Sequence, residues 1–239
     1  MTRSSSCAEG QAETRRAPGF TLLEMAIVLV ILSLLLGGLM MPLAAAREQE
    51  RRRSTQAQLM EIEQALLGFV SAHGRLPCPA TSLSGGQEDP PGGGICSSLH
   101  GFVPSVDLGI QGSLNAGGLL LDAWGGPLRY SVTAANNNAF TSSGTGGMPL
   151  LGLGILAPDL RVCPGATSCA SPVATGVPAV LFSQGRNRAE PPSVHEAKNI
   201  DNSTDFVFRE YSDSDFDDII VWLSPNLLYM TMIAAGQLP

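Results

Sequence analysis

Gly19-Phe20-Thr21-Leu22-Leu23-Glu24 opens an apolar run that continues from Met25 to Met41 without another charge. Phe20 to Met41 is 22 residues. As a helix rising ~1.5 Å per residue it is about 33 Å long, enough to cross a hydrocarbon core of ~30 Å. Glu24 is the exception in this run. A carboxylate at the centre of a bilayer helix costs about 2.5–3.5 kcal/mol, and less near the interface, so this one needs a partner or a route to the headgroups. The residues before it are polar, with Arg3, Arg15 and Arg16 against Glu9 and Glu13. An ordinary secretory signal places its cleavage site after the apolar stretch. Here the Pro18-Gly19 junction comes before it, so cutting there leaves the greasy helix on the mature protein.

That order of glycine, phenylalanine, glutamate and apolar span resembles the prepilin processing site of type IV pilins and type II secretion pseudopilins. The resemblance implies that a prepilin peptidase cuts after Gly19 on the cytoplasmic side and methylates the new N-terminal Phe20. It also implies that Glu24 docks subunits, pairing with the Phe20 amine of a neighbour so that each charge offsets the desolvation of the other. A glutamate that reaches up to the headgroups is the simpler alternative. Local arginine counts do not orient the chain, because Arg15 and Arg16 on one side face Arg47, Arg51, Arg52 and Arg53 on the other. The processing motif places the N-terminus in the cytoplasm.

Gly37, Gly38 and Pro42 predict a kink over residues 38–42. Beyond the arginine collar, Leu59, Ile62, Leu66, Phe69 and Val70 recur at three- and four-residue spacing. Gly74 and Pro77 end the pattern. The reading is one helix from about 20 to 73, with residues 20–46 as membrane or filament-core half and 47–74 as amphipathic half. Residues 1–19 form a cleaved leader and 75–239 a periplasmic globular domain.

Within that domain, Ser84 to Gly94 is too rich in glycine and proline for regular structure. Strands are expected at Leu119–Leu121, Leu128–Thr133, Ala179–Ser183, Phe206–Tyr211 and Ile219–Leu223, the last two as an antiparallel hairpin around the acidic turn 212–218. Ser224-Pro225 starts a terminal helix that Gly236 stops. The fold class is α+β, a long helix against a small antiparallel sheet with a short C-terminal helix. Asp122-Ala-Trp-Gly-Gly-Pro-Leu-Arg-Tyr130 is similar to the Asp-x-Trp-Gly-x-Pro-x-x-Tyr stretch of major pseudopilins. Asp217-Asp-Ile-Ile-Val-Trp222 is similar to their C-terminal Asp-Ile-x-x-Trp. This chain adds about one helix beyond that tryptophan and has longer loops.

Cys7 lies in the leader. Cys78, Cys96, Cys163 and Cys169 remain, an even number that an oxidising periplasm would pair. Proximity selects Cys78–Cys96 and Cys163–Cys169 among three connectivities. Zinc is disfavoured because no Cys-x-x-Cys knuckle occurs. The acidic turn supplies Asp213, Asp215, Asp217 and Asp218, which could ligate calcium or could simply be solvated. The resemblance adds that major pseudopilins bind calcium near their equivalent stretch. No other cofactor is expected. His73, His100 and His195 are scattered, and no nucleophile elbow or phosphate loop is present. The net charge is −7 for the chain and −9 from Ser54 onward, with 7 basic against 16 acidic residues, so no broad footprint for nucleic acid exists.

The expected role is a non-enzymatic subunit of a type II secretion pseudopilus or type IV pilus-like filament. It would sit in the inner membrane before joining the filament through its N-terminal helix. The implied partners are prepilin peptidase, other pilin or pseudopilin subunits, and an inner-membrane assembly platform driven by a separate cytoplasmic ATPase. A minor or tip pilin with a binding role, and a membrane-anchored periplasmic enzyme, are the alternatives.

Overall fold

A computed structural model describes residues 19–212 and 215–238, apart from the side chains of 36–42. Leader residues 1–18, Asp213 and the side chains at the expected kink therefore lie outside the described residues. The chain divides into two compact units, Met1–Arg47 and Glu48–Pro239.

Helix α1 runs from Leu22 to His73. Its start is a capping box. Glu24 N–H donates to Thr21 Oγ1 at 3.2 Å, and Thr21 N–H donates back to Glu24 Oε2 at 3.3 Å. Its end is set by Gly74, at φ 68°, a left-handed conformation that costs glycine little. In the first unit, every described residue from 19 to 35 is exposed, including Phe20 at 77% and Leu22 at 93%.

The second unit is built on a four-stranded antiparallel sheet. Its strands are β1 (His100–Phe102), β2 (Arg129–Val132), β5 (Ala179–Ser183) and β7 (Ile219–Leu223), in the order β1-β2-β5-β7. Alternate residues along a strand point to opposite faces, and β5 uses both. Ala179 and Leu181 join Leu59, Ile62, Leu66 and Val70 of α1 in one core. Val180 and Phe182 enter a second core with Leu160, Val162, Phe206 and Phe216. This is why all five residues of β5 are buried. The second core lies against a three-stranded sheet, β4 (Ala174–Val177), β3 (Leu160–Cys163) and β6 (Asp205–Val207), in the order β4-β3-β6.

Four helical pieces complete the unit. α2 (Ala135–Asn138) is a turn in which Asn136, Asn137 and Asn138 all have positive φ, a conformation asparagine tolerates better than most residues. α3 is Met148–Leu151, α4 is Val194–Asn199 and α5 is Pro225–Ala234. α5 buries Leu228 and Met232 in the α1 core.

The long helix, the main antiparallel sheet and the terminal helix agree with the α+β expectation. Two expectations are corrected. Leu119–Leu121 forms isolated bridges, Leu114 with Leu120 and Leu121 with Pro127, rather than a strand. The expected hairpin does not form either. β7 pairs with β5, while β6 pairs parallel to β3. Phe216, 1% exposed, fills the second core between them. The acidic segment still closes a tight turn, Ser212 bridging to Phe216, but Phe216 enters the second core and the strands on either side join different sheets.

The loop from residue 78 to 96 has little apolar content. It is fastened by the Cys78–Cys96 disulfide, with Cα atoms 5.3 Å apart, and by a buried ion pair. Arg75 donates twice to Glu88, at 2.8 and 2.7 Å. Glu88 also accepts the backbone N–H groups of Cys78 and Gly92. Burial works to raise the Glu88 pKa, but the Arg75 hydrogen bond and charge and these two N–H groups bring it below the usual range. Cys163 and Cys169 form the second disulfide, at a Cα separation of 5.1 Å.

Candidate functional site

Three places in the chain are candidates for a functional role. The first is the N-terminus. Thr21 and Glu24 hold each other by the capping box, so the Glu24 carboxylate already has partners within its own helix. The Thr-x-x-Glu spacing carried that signal, and reading Glu24 only as a lone charge missed it. Among the described residues, Thr21 is the hydrogen-bond partner of the Glu24 carboxylate.

The second place joins the globular unit to α1. Asp122 is 6% exposed. Its Oδ1 accepts the backbone N–H of Trp124 at 2.9 Å and of Gly126 at 2.7 Å, and its Oδ2 accepts the Ser183 hydroxyl at 2.5 Å. The turn so formed aims the Trp124 indole N–H at Glu48, 3.2 Å away, and the Ala123 N–H at Thr55 Oγ1, also 3.2 Å. The Asp-x-Trp-Gly stretch is thus a clamp between the sheet and the helix.

The third place is a buried carboxylate cluster. The structure brings Asp217 and Asp218 together with Glu196 of α4, with one oxygen of each within 4.8 Å of the others. Asp215 lies apart from them, half-exposed and facing Arg209 at 3.7 Å. Glu196 was missed in the sequence. Its signal was a capping box, Ser193-x-x-Glu196, which explains a helix start but not a cluster.

The turn after β5 holds Asp217. Arg186 and Asn187 N–H groups donate to its Oδ2 at 2.9 and 3.0 Å. Gly185, at φ 63°, lets the backbone come this close, and a Cβ there would overlap the Asp217 carboxylate. Asp217 Oδ1 is buried with no hydrogen-bond partner among the described residues. Asp218 accepts the Asn199 amide at 2.6 Å. A cavity of about 40 Å³ lies alongside, lined in part by Gln184, Asn187, Glu196 and Asp218.

Burial pushes the Asp218 pKa up to about 8, against the Asn199 hydrogen bond and with help from the charges of Glu196 and Asp217. Burial also raises Asp217. Burial works to raise Glu196 as well, but hydrogen bonds from Ser193, Asp217 and Asn187 bring it below the usual range. Three carboxylates, one orphaned oxygen and a small adjoining cavity fit a hard cation that takes oxygen ligands. Without one, a proton on Asp218 relieves the repulsion.

The comparisons bear on the first place. Residues 14–40 match the prokaryotic N-terminal methylation motif. This match is consistent with a prepilin motif of the type IV pilin and pseudopilin kind. That motif implies processing by prepilin peptidase and assembly with other pilin subunits, and it suggests an N-terminal membrane anchor. No curated protein and no solved structure matches the chain significantly. Among the described residues, no helix is long and apolar enough to cross a membrane. The expected span of residues 20–41 includes 36–41, whose side chains lie outside the described residues.

Proposed function

We propose that this protein is a structural subunit of a type II secretion pseudopilus or type IV pilus-like filament, cut after Gly19, methylated on Phe20 and assembled through its N-terminal helix. The observation that carries this reading is the exposed apolar surface from Phe20 to Leu35, headed by the matched motif. Contiguous apolar surface of that extent marks a membrane or protein contact, and among the described residues nothing covers it. Before assembly the subunit sits in the inner membrane, with the leader cytoplasmic and residues 75–239 in the periplasm. Afterwards its helix packs among those of other subunits. A platform and a separate cytoplasmic ATPase supply the mechanical work, and the subunit itself performs no catalysis.

The N-terminal mass decides the matter. Protein purified from cells with active prepilin peptidase should begin at Phe20 and carry one added methyl group. A chain that still begins at Met1 overturns the reading.

The carboxylate cluster supports a second element of the proposal, a bound calcium ion held by Glu196, Asp217 and Asp218. The ion would neutralise the cluster and tie α4 to the approach to β7. The Asp218 pKa sets the pH dependence. Its value is about 8 folded against an ordinary 3.8, so the folded state binds the extra proton. The stability that proton contributes is full below pH ~4 and is lost as pH rises through ~8, at up to about 1.4 kcal/mol per pH unit. Calcium competes with the proton, so it should stabilise more at pH ~8 than at pH ~5. At a hundredfold excess over Kd the gain is about 2.7 kcal/mol. A melting temperature at pH ~8 that does not respond to calcium would sink this element.

A further inference from the structure

A basic pocket interrupts the acidic surface of the globular unit. It has a volume of about 330 Å³ and is lined by Gln49, Arg52, Arg53 and Gln56 of α1 and by Phe208, Arg209 and Tyr211 from the chain after β6. Gln49, Arg52, Arg53 and Gln56 share one helix face through their three- and four-residue spacings. Three guanidinium groups in one recess is unusual for a unit whose net charge from Ser54 onward is −9.

The arginines are held in different ways. Arg52 stacks on the Tyr211 ring, with its guanidinium carbon 3.4 Å from the ring centroid, which fixes its plane. Its Nε is buried and has no acceptor among the described residues. A buried donor without a partner is unfavourable, and a ligand oxygen would satisfy it. Arg209 is steered by His195 Nε2 at 2.5 Å and by Asp215 at 3.7 Å. Arg53 is exposed and makes no hydrogen bond or ion pair with any described residue. Asp218 also faces the recess, with its carboxylate turned to the Asn199 amide.

The planar donor fork of arginine matches phosphate oxygens in pairs, and Gln49 and Gln56 add neutral donors. One wall is apolar. Phe208 is 40% exposed and packs edge-on against Trp222 with ring centroids 5.4 Å apart. A recess with arginines on one side and an open aromatic on the other suits a phosphate attached to a greasy body. In the sequence, Arg52 and Arg53 belong to the collar directly after the apolar run.

We infer that this pocket binds the phosphate group of an anionic phospholipid through Arg52, Arg53 and Arg209, with Phe208 against its apolar part. The lipid source rests on the membrane-anchor reading above, whereas the phosphate chemistry does not. The site would hold the globular unit on the lipid surface until assembly withdraws the subunit.

The test uses the full chain in non-ionic detergent, with dihexanoyl phosphatidylglycerol, dihexanoyl phosphatidylcholine and inorganic phosphate as separate probes in titration calorimetry. Phosphatidylglycerol should bind at least about tenfold more tightly than either of the others. Arg52→Gln with Arg53→Gln should weaken it about tenfold or more, since each basic contact to an anionic lipid contributes about 1 kcal/mol. Arg51→Gln, outside the pocket, should leave it unchanged. Equal loss in Arg51→Gln would mean diffuse attraction and overturn the site. Inorganic phosphate binding as tightly as phosphatidylglycerol would overturn the lipid source. A double variant that binds lipid normally yet drops out of filaments would overturn the inference in favour of a neighbouring subunit's carboxylates. The N-terminal mass is read on the same preparation, so absent lipid binding in a correctly processed chain removes the pocket and leaves the filament role standing.

Discussion

Replacing Arg75 by methionine is expected to destabilise the globular unit by about 3–5 kcal/mol, the usual cost of leaving one member of a buried ion pair unpaired. The side chains of Arg75 and Glu88 are 6% and 5% exposed, and the guanidinium meets the carboxylate at two points. After the change, Glu88 keeps only the Cys78 and Gly92 N–H groups. It would then take up a proton at higher pH, and the variant would recover part of its stability in mild acid. In the native protein the sign is opposite. The lowered Glu88 pKa contributes stability above the ordinary glutamate range, and that contribution is lost as pH falls. Urea unfolding of the full chain in detergent at several pH values reads both effects. The double variant Arg75→Met with Glu88→Met should recover most of the loss, because apolar replacement of a buried pair is often neutral. A single-variant loss below about 1 kcal/mol would mean that water reaches the pair and screens it.

Replacing Glu24 by alanine should leave membrane insertion intact and lower filament incorporation at least about tenfold, equivalent to ~1.4 kcal/mol or more of docking energy. Alanine removes two things at once, the charge that would meet a neighbour's Phe20 amine and the return half of the capping box. Thr21 still caps the helix in that variant, so losing the return bond costs less than the about 0.5–2 kcal/mol of a full N-cap loss. Glu24→Gln separates them, since glutamine can still accept from the Thr21 N–H but carries no charge. If the charge does the docking, Glu24→Gln fails in filaments as Glu24→Ala does. If Glu24→Gln assembles normally while Glu24→Ala does not, the residue acts through the helix start. Normal incorporation of both would remove Glu24 from assembly. Immunoblots of sheared filaments against membrane fractions make the comparison.

The readable part of this chain was local. The six residues from Gly19 to Glu24 carry their meaning in spacing alone, since the motif and the capping box both act within two helical turns. The extent of α1 was readable for the same reason, because Leu59, Ile62, Leu66 and Val70 repeat at helical period up to a glycine stop. Ala179–Ser183 and Ile219–Leu223 were recognisable as β-branched and apolar runs. Their partners were not. The acidic segment looked like the turn of a hairpin because carboxylates favour turns, yet Phe216 is drawn into a core that also takes Leu160, Val162, Val180 and Phe182 from distant strands, and the flanking strands pair elsewhere. No local rule sees that core.

The sequence by itself determined the N-terminal methylation motif, the long helix and the α+β class, because each depends on neighbours along the chain. Only the tertiary structure decided which carboxylates meet. Glu196 lies 21 residues before Asp217, and Asp122 meets Ser183 across 61 residues. Arg52 reaches Tyr211 from the far end of the same unit. The physical reason is that burial and partnership are settled by sheet order and core packing, which join distant segments that no spacing along the chain connects.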